Sequence, residues 1–300
     1  MILIGENLNI MVKKIGRSIK EKNPKPIQEL ALAEAEAGVD YIDINLGPAR
    51  KGGGELMEWM VKTVQEVVDL PLYLDTSNVS AIEAGLKVYK DKQGKAVINS
   101  IMCRPERMEA QIPMATKYNA GMVALLWGPE GMPRDAAERG ALAAEILQRA
   151  AEAGVAGEDI WVDPIITPVN VQQNQLLECN RFMSELDMIA EVVAPGCKST
   201  CGLSNVSNGV PRHLRPILNR TYMIIIEKFG MKSCIVDAFD KDLHEIARGR
   251  RPEITALVRQ VVDGHEPDIE NLDKEARDYV KTAKVLLGHS LYTDSWLKQR

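Results

Sequence analysis

Polar residues that each close a short apolar run are the candidates for chemistry in this chain of 300 residues. They are Glu6, Asp43, Asp75, Asn99, Asp163, Asn205 and Asp237. All are carboxylates or primary amides, and no Ser-His, Cys-His or HxxxH arrangement accompanies them. The histidines lie away from these runs, at positions 213, 244, 265 and 289. The set therefore favours recognition by hydrogen bonds over acyl transfer or hydrolysis by a bound metal.

These residue types suit a planar heterocycle that presents amino, ring N–H and carbonyl groups along one edge. Carboxylates such as Asp75 and Asp163 accept hydrogen bonds from an amidine-like edge, whereas Asn99 and Asn205 both donate and accept. On rigid elements, the loss of one such bond leaves a buried partner unpaired, which makes recognition selective. The residues therefore predict a pterin-type site.

Each residue also has a purely structural interpretation. Asp75 precedes a predicted helix start and could serve only the turn. Asp163 precedes Pro164, where it could begin a loop, and Asp43 and Asn45 could pair across a barrel interior. The spacing of the whole set favours a functional site more than any single residue does.

The apolar runs are spaced on the order of 30 residues apart, the length of one strand-plus-helix unit. They cover residues 2–4, 41–46, 72–74, 96–98, 122–126, 160–162 and 234–236, with 199–203 the least strand-like. Runs bounded by Gly, Pro, Asn or Asp are typical of strands buried on both faces. Eight such units predict an α/β fold, a (β/α)8 TIM barrel, with an open doubly wound sheet as the alternative. A barrel would bring the polar strand ends to one face.

The stretches between the strands show the 3.6-residue period of helices. One predicted helix begins at Pro26 and ends before Gly38, which marks its C-terminus. A second, over residues 54–70, predicts a buried face. That face consists of Leu56, Trp59, Met60, Val64 and Val67.

Composition limits the number of domains and the kinds of partner. A barrel needs about 250 residues, so we predict one pterin-binding barrel over residues 1–270 and a helical extension over 271–300 that packs on the barrel or on a partner subunit. Net charge is −5 and basic residues are dispersed, which argues against nucleic acid. No leader or long apolar segment is visible, so we expect a cytoplasmic protein without membrane contact. Five cysteines without CxxC spacing favour buried thiols over disulfides or zinc.

A family resemblance runs in order over nearly the whole chain. It is carried by GENLN (5–9), DINLGPA (43–49), LDTSNVSAIEAGL (74–86), INS (98–100), DPIITP (163–168), GLSNVSNG (202–209), NRTY (219–222) and the TDSW ending at Trp296. The chain resembles the methyltetrahydrofolate:corrinoid methyltransferases of the pterin-binding superfamily, including those that serve a corrinoid/iron-sulfur protein or an O-demethylase. More distantly it is similar to dihydropteroate synthase and to the folate domain of cobalamin-dependent methionine synthase.

The resemblance implies a pterin-binding barrel, usually a homodimer, that moves a methyl group between 5-methyltetrahydrofolate and cobalt of a corrinoid (cobalamin) carried by a partner protein, with no metal bound by this chain. It implies that Asp75, Asn99 and Asp163 bind the pterin edge and that Asn205 lies nearest the nitrogen carrying the methyl group. Further residues complete the pocket, namely Gly202, Ser204, Asn208 and Arg215. Glu6, Asp43 and Asp237 are expected to support the site.

Two alternatives of other kinds remain open. A pteroate-forming synthase must bind a diphosphate leaving group, for which Lys198 is the nearest basic candidate. A non-catalytic folate-binding subunit of a corrinoid complex is the other. Arg248, Arg250 and Arg251 could attract a folate glutamate tail, although a solvated helix face is favoured.

Overall fold

Each predicted apolar run overlaps a strand of a parallel sheet in the computed structural model, which describes residues 1–298, although the run at 199–203 does so only at Ser199. The strands are β1 (Ile2–Gly5), β2 (Tyr41–Asn45), β3 (Leu72–Asp75), β4 (Val97–Met102), β5 (Gly121–Leu125), β6 (Ile160–Asp163), β7 (Lys198–Ser199) and β8 (Ser233–Val236). They pair in the order β7-β6-β5-β4-β3-β2-β1-β8, so β1 lies between β2 and β8.

The two ends of this sheet meet through the chain that follows β7. Gly202 forms a parallel bridge with Ile235 of β8, and the Ile235 N–H donates to the carbonyl of Cys201 at 2.8 Å. The Ser233 hydroxyl also donates to the carbonyl of Ser199. The sheet is therefore a nearly closed barrel, which confirms the predicted TIM fold over the open sheet.

The segment after β7 differs from the prediction. Residues 199–203 were predicted to form a strand, but β7 ends at Ser199 and Leu203–Ser207 forms a 3-10 helix. The Asn205 N–H donates to the Gly202 carbonyl at 3.1 Å, which turns the chain out of the sheet. The apolar residues of this segment, Leu203 and Val206, are buried beneath the turn instead of along a strand.

The described part of the chain contains eleven α-helices. They are α1 (Lys13–Lys20), α2 (Pro24–Ala37), α3 (Gly53–Gln65), α4 (Val79–Val88), α5 (Pro105–Lys117), α6 (Ala136–Glu152), α7 (Val169–Val193), α8 (Arg215–Lys228), α9 (Lys241–Ala247), α10 (Pro252–Val262) and α11 (Lys274–Leu286). Helix α2 ends as predicted at Gly38, whose φ of 93° is the left-handed conformation that glycine adopts without steric cost.

Helix α3 is rotated relative to its predicted buried face. Met57, Met60, Val61 and Val64 are fully buried, whereas Trp59 is only partly buried. The predicted Leu56 is likewise partly buried, and Val67 follows the helix end. The helix packs against α4 and α2, and these two neighbours determine which of its residues are buried.

The side chains of the strands form two apolar layers, one inside the barrel and one between the barrel and the helices. Inside the barrel, Ile4, Tyr73, Val97, Val123 and Trp161 form one buried cluster. The alternate residues of the same strands pack outward against the helices, as period-2 geometry requires. The ring centroids of Tyr73 and Trp161 are 6.1 Å apart and the ring planes meet at 66°, an edge-to-face contact, so aromatic rings fill the lumen.

The chain after residue 270 covers one side of the barrel. Helix α11 packs against α8 and α10, and Tyr279 and Trp296 are buried there. The Trp296 indole N–H donates to the Thr282 hydroxyl at 3.0 Å. The boundary at residue 270 stays a prediction, since the extension shares its core with the barrel helices. Over residues 1–298, the helices are too short or too polar to cross a membrane.

Candidate functional site

The polar strand ends continue the inward-facing rows of the barrel. Asp75 follows Tyr73 by two residues, and Asp163 follows Trp161 by two, so both carboxyls point toward the barrel axis just above the aromatic layer. Glu6, Asn99 and Asp237 obey the same rule after Ile4, Val97 and Ile235. Because inward-facing residues alternate in the same way on each of these strands, polar residues from most of the chain meet at the carboxyl end of the barrel, which we call the mouth.

One wall of the mouth carries three of the predicted pterin ligands. Asp75 of β3 is in register with Asn99 of β4, so these side chains are neighbours. Strand β5 contributes Leu125, which is in register with Asp163 of β6. Asp163 accepts a hydrogen bond from the Ile165 N–H at 2.8 Å. The wall thus presents two carboxyls and an amide, interrupted by one apolar side chain.

Strand β2 orients this wall from behind. The Asn99 side-chain amide donates to Asp43 Oδ1 at 3.0 Å, and Asp43 is buried. The Asn45 amide donates to Asp75 Oδ2, while Asn45 Oδ1 accepts from the Gly47 N–H. Because the Asn99 N–H group faces Asp43, its carbonyl oxygen is left for a donor in the mouth. Asp43 therefore holds the Asn99 side chain in place, and Asn45 contacts Asp75 in the same way, as expected of the supporting position predicted for Asp43.

The opposite side of the mouth is the 3-10 turn that carries Asn205. Ser204 donates to Glu6 Oε2 at 2.9 Å, which joins this turn to the end of β1. Asn205 itself is exposed. A Cβ on Gly202 would lie 3.0 Å from Asn205 Nδ2, so glycine leaves the space that the amide occupies. The structure therefore brings together Glu6, Gly202, Ser204 and Asn205.

Asn7 gathers two more carboxyls around the end of β1. Its backbone N–H donates to Glu34 Oε1 of α2 at 2.8 Å, and its side-chain amide donates to Asp237 Oδ1 at 2.9 Å. Its side-chain oxygen accepts from the Ala238 N–H. We call Glu6, Asn7, Glu34 and Asp237 the Asn7 cluster.

Asn208 and Arg215 contact the rim less directly. Asn208 is exposed, and its N–H donates to the Asn205 carbonyl at 3.1 Å. The Arg215 guanidinium donates through Nε to the Val210 carbonyl at 2.8 Å and so holds the loop that follows Asn208. Both residues border the Asn205 turn, and neither reaches the wall formed by Asp75 and Asn99 through a direct hydrogen bond.

Burial raises the pKa of the buried carboxyls in and around the mouth. The pKa of Glu6 rises to about 7 and that of Asp163 to about 6, mainly by desolvation. Desolvation raises the pKa of Asp75 to about 7, and it raises that of Asp43 well above its ordinary value with the Asp75 charge as a second cause. The pKa of Glu34 rises to about 8. Near neutral pH these carboxyls thus retain protons that exposed carboxyls have already lost.

Sequence reasoning missed Asn7 and Glu34 as parts of the site. Glu34 follows Ile27 and Ala31 on the buried face of α2, at i, i+4 and i+7, and it is fully buried. A carboxylate on an otherwise apolar helix face was the available signal. Asn7 gave no comparable signal, because its partners are contributed by α2 and β8.

Other chemically notable residues lie elsewhere. Arg248 donates to the carbonyls of Met1 and Gly38, at the amino ends of β1 and β2, opposite the mouth. Arg250 and Arg251 form ion pairs with nearby glutamates. Cys201 and Cys234 are buried free thiols with sulfur atoms 3.5 Å apart. The three arginines therefore lie in the turn between α9 and α10, away from the site, and not on the predicted helix face.

The other recesses and acidic groups of the described chain offer no better candidate site than the mouth. A recess of about 400 Å³ lies between the loop from Gly128 to Arg134 and α6, but the strand-end polar residues do not line it. Within residues 1–298, no group of three or more His, Cys, Asp or Glu side chains is arranged to hold a metal ion. We locate the site at the mouth because hydrogen-bonding side chains from β1, β3, β4, β6 and the Asn205 turn converge there.

A barrel whose lumen is closed by aromatic residues and whose mouth carries carboxyls and amides is the architecture of an enzyme that binds a flat heterocycle. Residues 5–237 match the model of the pterin binding enzymes. The chain belongs to this family.

Two proteins of known name and one solved structure are similar to most of this chain. Methylcorrinoid:tetrahydrofolate methyltransferase of Eubacterium limosum is 29% identical over 245 residues, which cover 81% of this chain and 87% of that protein. Methionine synthase of Mycobacterium leprae (strain TN) is 25% identical over 248 residues, covering 79% of this chain but 20% of that longer protein. The structure of dihydropteroate synthase from Xanthomonas albilineans with 7,8-dihydropteroate superimposes with a TM-score of 0.60 at 16% identity, covering 84% of this chain and 92% of that one. That last similarity concerns the fold alone.

Proposed function

We propose that this enzyme transfers a methyl group between N5 of tetrahydrofolate and the cobalt of a corrinoid carried by a separate protein. The observation that carries the proposal is the convergence of Asp75, Asn99, Asp163 and the Asn205 turn on one barrel mouth. The similarity to a methylcorrinoid:tetrahydrofolate methyltransferase over most of both chains supports the reaction class. The proposal includes both directions, from methyltetrahydrofolate to the corrinoid and from the methylated corrinoid to tetrahydrofolate.

The wall residues have the donor and acceptor pattern that a pterin edge requires. Asp75 and Asp163 supply carboxyl oxygens for amino and ring N–H groups, and Asn99 supplies an amide already oriented by Asp43. A ligand that donates to Asp75 or Asp163 favours the ionised carboxylate, so binding would release protons that these buried groups otherwise hold. The pterin is thus selected by paired hydrogen bonds to polar groups that are shielded from water.

Asn205 is proposed to lie against the nitrogen that carries the methyl group. A tertiary amine leaves poorly, so displacement of its methyl group by cobalt(I) requires that the nitrogen gain a proton or a hydrogen bond as the carbon–nitrogen bond breaks. An amide does not titrate, but its carbonyl stabilises a protonated amine. The exposed position of Asn205 on the rim leaves the methyl group open to an incoming corrinoid.

A pteroate-forming synthase has less support from the site. Its diphosphate leaving group needs basic residues at the mouth, and Lys198 begins β7 at the amino end of the barrel. The Lys198 ammonium donates to the Glu158 carbonyl and lies 4.5 Å from the centroid of the Trp161 ring. Lys198 is therefore engaged away from the Asn205 turn.

A homodimer, a cytoplasmic location and a corrinoid protein as methyl carrier complete the proposal. The homodimer and the corrinoid protein rest on the family resemblance described above. Size-exclusion chromatography with light scattering tests the first, and a panel of purified corrinoid proteins tests the last.

The reaction is tested by anaerobic mixing of the enzyme with 5-methyltetrahydrofolate and cobalt(I) cobalamin, followed by absorbance of the methylcobalt product. The reverse reaction starts from methylcobalamin and tetrahydrofolate. We expect transfer in at least one direction, faster when a cognate corrinoid protein replaces free cobalamin. Absence of transfer with every acceptor, combined with normal folate binding, would instead support the non-catalytic subunit.

Two variants separate binding from chemistry. Asn205→Ala is expected to lower the transfer rate about 100-fold with little change in folate affinity, because its contact forms chiefly as the nitrogen gains charge. Asp75→Ala is expected to weaken folate binding itself, measured by isothermal titration calorimetry. Equal losses of affinity and rate in both variants would contradict this division of roles.

A further inference from the structure

The Asn7 cluster places three carboxyls beside one another without a basic partner. Glu34 and Asp237 are both hydrogen-bonded to Asn7, and Glu6 precedes it in the chain. Glu34 is fully buried, and its Oε2 atom has no hydrogen-bond partner in the described structure. A buried carboxylate oxygen without a partner is costly when charged, and neighbouring carboxylates raise this cost. The cluster is therefore built to hold protons.

Within the cluster, Glu6 is the carboxyl that is hydrogen-bonded to a hydroxyl of the Asn205 turn. Ser204 Oγ lies 2.9 Å from Glu6 Oε2, and Ser204 directly precedes Asn205. A serine hydroxyl both donates and accepts, so it can pass a proton without changing its own charge. The Glu6–Ser204 pair thus connects a proton-holding cluster to the turn that carries Asn205.

We propose that Glu6 holds the proton that the folate nitrogen gains during methyl transfer and exchanges it through the Ser204 hydroxyl. This inference rests on the proposed function and adds the proton donor that Asn205, an amide, does not provide. Asp237 is a positioning residue in this scheme, because its negative charge favours the protonated form of Glu6. Glu34, whose pKa rises to about 8, keeps its own proton and completes the buried surroundings of Glu6.

The step balances in atoms and charge. Cobalt(I) attacks the methyl carbon, the new cobalt–carbon bond forms, and the carbon–nitrogen bond breaks with its electron pair left on N5. N5 takes a proton from Ser204 Oγ as that hydroxyl takes the Glu6 proton, so N5 gains one hydrogen and Glu6 becomes a carboxylate. Cobalt passes formally from the I to the III state. In the reverse direction, N5–H returns its proton to Glu6.

The ionisable groups that surround Glu6 are acidic. Asp237 faces it from the end of β8 and its charge raises the pKa of Glu6, whereas Glu34 of α2 and Asp43 of β2 have raised pKa values of their own. Burial is the main cause that raises the pKa of Glu6 to about 7, against the lowering effect of the Ser204 hydrogen bond, and within residues 1–298 no basic side chain contributes to it. A donor with a pKa near the working pH transfers its proton efficiently in either direction.

The decisive variant is Glu6→Gln, which keeps the size of the side chain and a partner for Ser204 but removes the proton. In the forward direction, the wild-type transfer rate should fall as pH rises through about 7, the pKa of Glu6. In Glu6→Gln, the fall of the transfer rate near pH 7 should disappear, and the rate should be about 100-fold lower than in the wild type. The folate affinity should be unchanged within threefold. Glu185→Gln, an exposed carboxyl on α7, is the matched control and should behave as wild type.

A second measurement does not depend on activity. In protein labelled with ¹³C at the glutamate carboxyl carbon, two NMR resonances should titrate well above the ordinary range, that of Glu6 near pH 7 and that of Glu34 near pH 8. The resonance near pH 7 should be absent from Glu6→Gln, and the resonance near pH 8 should be absent from Glu34→Gln. Asp237→Asn should lower the midpoint of Glu6, since a neighbouring negative charge is removed. Ser204→Ala should slow transfer while leaving the midpoint at or above its original value, because the hydrogen bond that lowers the pKa of Glu6 is lost.

The outcomes separate this inference from the proposed function. A wild-type protein that transfers no methyl group refutes the proposed function, and the NMR titration still decides whether Glu6 holds a proton at neutral pH. A Glu6 midpoint below about 5, or a Glu6→Gln enzyme that keeps the wild-type rate and pH dependence, overturns the role of Glu6 whatever the reaction proves to be.

Discussion

Asp43 illustrates how a buried residue acts on a ligand through a neighbour. Its carboxyl accepts the Asn99 amide N–H at 3.0 Å, which fixes which end of that amide faces the mouth. An amide has two chemically different ends, so a freely rotating Asn99 would present the correct one only part of the time. Recognition at this position therefore depends on a residue behind the mouth as well as on the one that lines it.

Replacement of Asp43 should separate this orienting effect from overall stability. Asp43→Leu removes the acceptor while filling the space, and we expect a loss of about 1–2 kcal/mol in folate binding, or about tenfold in Kd. Asp43→Asn keeps an acceptor oxygen and is the matched control, with a smaller loss. Calorimetric titration measures both, and equal affinities in the two variants would contradict the orienting role.

Helix α2 and strand β1 are fitted to one another at a single glycine. Glu34 of α2 lies directly over Gly5, and a Cβ there would come within 2.7 Å of Glu34 Oε2. The last residue of β1 must therefore be small for Glu34 to reach the Asn7 N–H. Packing between these two elements thus helps to form the Asn7 cluster.

Substitution of that glycine tests the packing between the elements. Gly5→Ala should destabilise the fold by about 1–3 kcal/mol, because Glu34 must move or the backbone must shift. Gly54→Ala in α3 meets no atom closer than 3.6 Å and should be neutral or stabilising, since alanine favours a helix. Denaturation by urea measures both. The Gly5→Ala penalty should shrink in a Glu34→Ala background, and an undiminished penalty would point to another cause.

At the scale of the whole molecule, the barrel gathers carboxyls whose pKa values all shift in the same direction. Glu6, Glu34, Asp43, Asp75 and Asp163 each have a raised pKa, with desolvation as the main cause. The folded protein therefore binds more protons than the unfolded chain at pH values between the ordinary carboxyl pKa and the raised values. Burial of these carboxyls lowers the stability of the fold at neutral and higher pH, but it holds the groups of the mouth in fixed positions.

The sign of this linkage gives a pH dependence of stability. Between pH 5 and pH 8 the folded state holds protons that the unfolded state has lost, so the free energy of unfolding should fall as pH rises. Each full proton of difference contributes about 1.4 kcal/mol per pH unit. Thermal unfolding of the ligand-free protein at constant ionic strength should give a lower Tm at pH 8 than at pH 5. Glu34→Gln should flatten the slope, and a Tm that rises toward pH 8 would refute this account.

The repeating strand-and-helix order and the identity of the wall residues followed from the sequence alone. Apolar runs with an alternating register fix which side chains face inward, so Asp75 after Tyr73 and Asp163 after Trp161 were predictable from parity once a barrel was inferred. The segment after β7 was not, because local apolar character at 199–203 does not distinguish a strand from residues buried beneath a turn.

Only the tertiary structure decided which polar residues pair. Ser204 meets Glu6 across 198 positions, Asn7 meets Asp237 across 230, and Asn99 meets Asp43 across 56. Such contacts depend on barrel closure and on the packing of α2 against Gly5, which no local pattern encodes. The physical reason is that sequence periodicity specifies the direction of each side chain, whereas hydrogen-bond partners and pKa shifts arise when distant elements exclude water from the same volume.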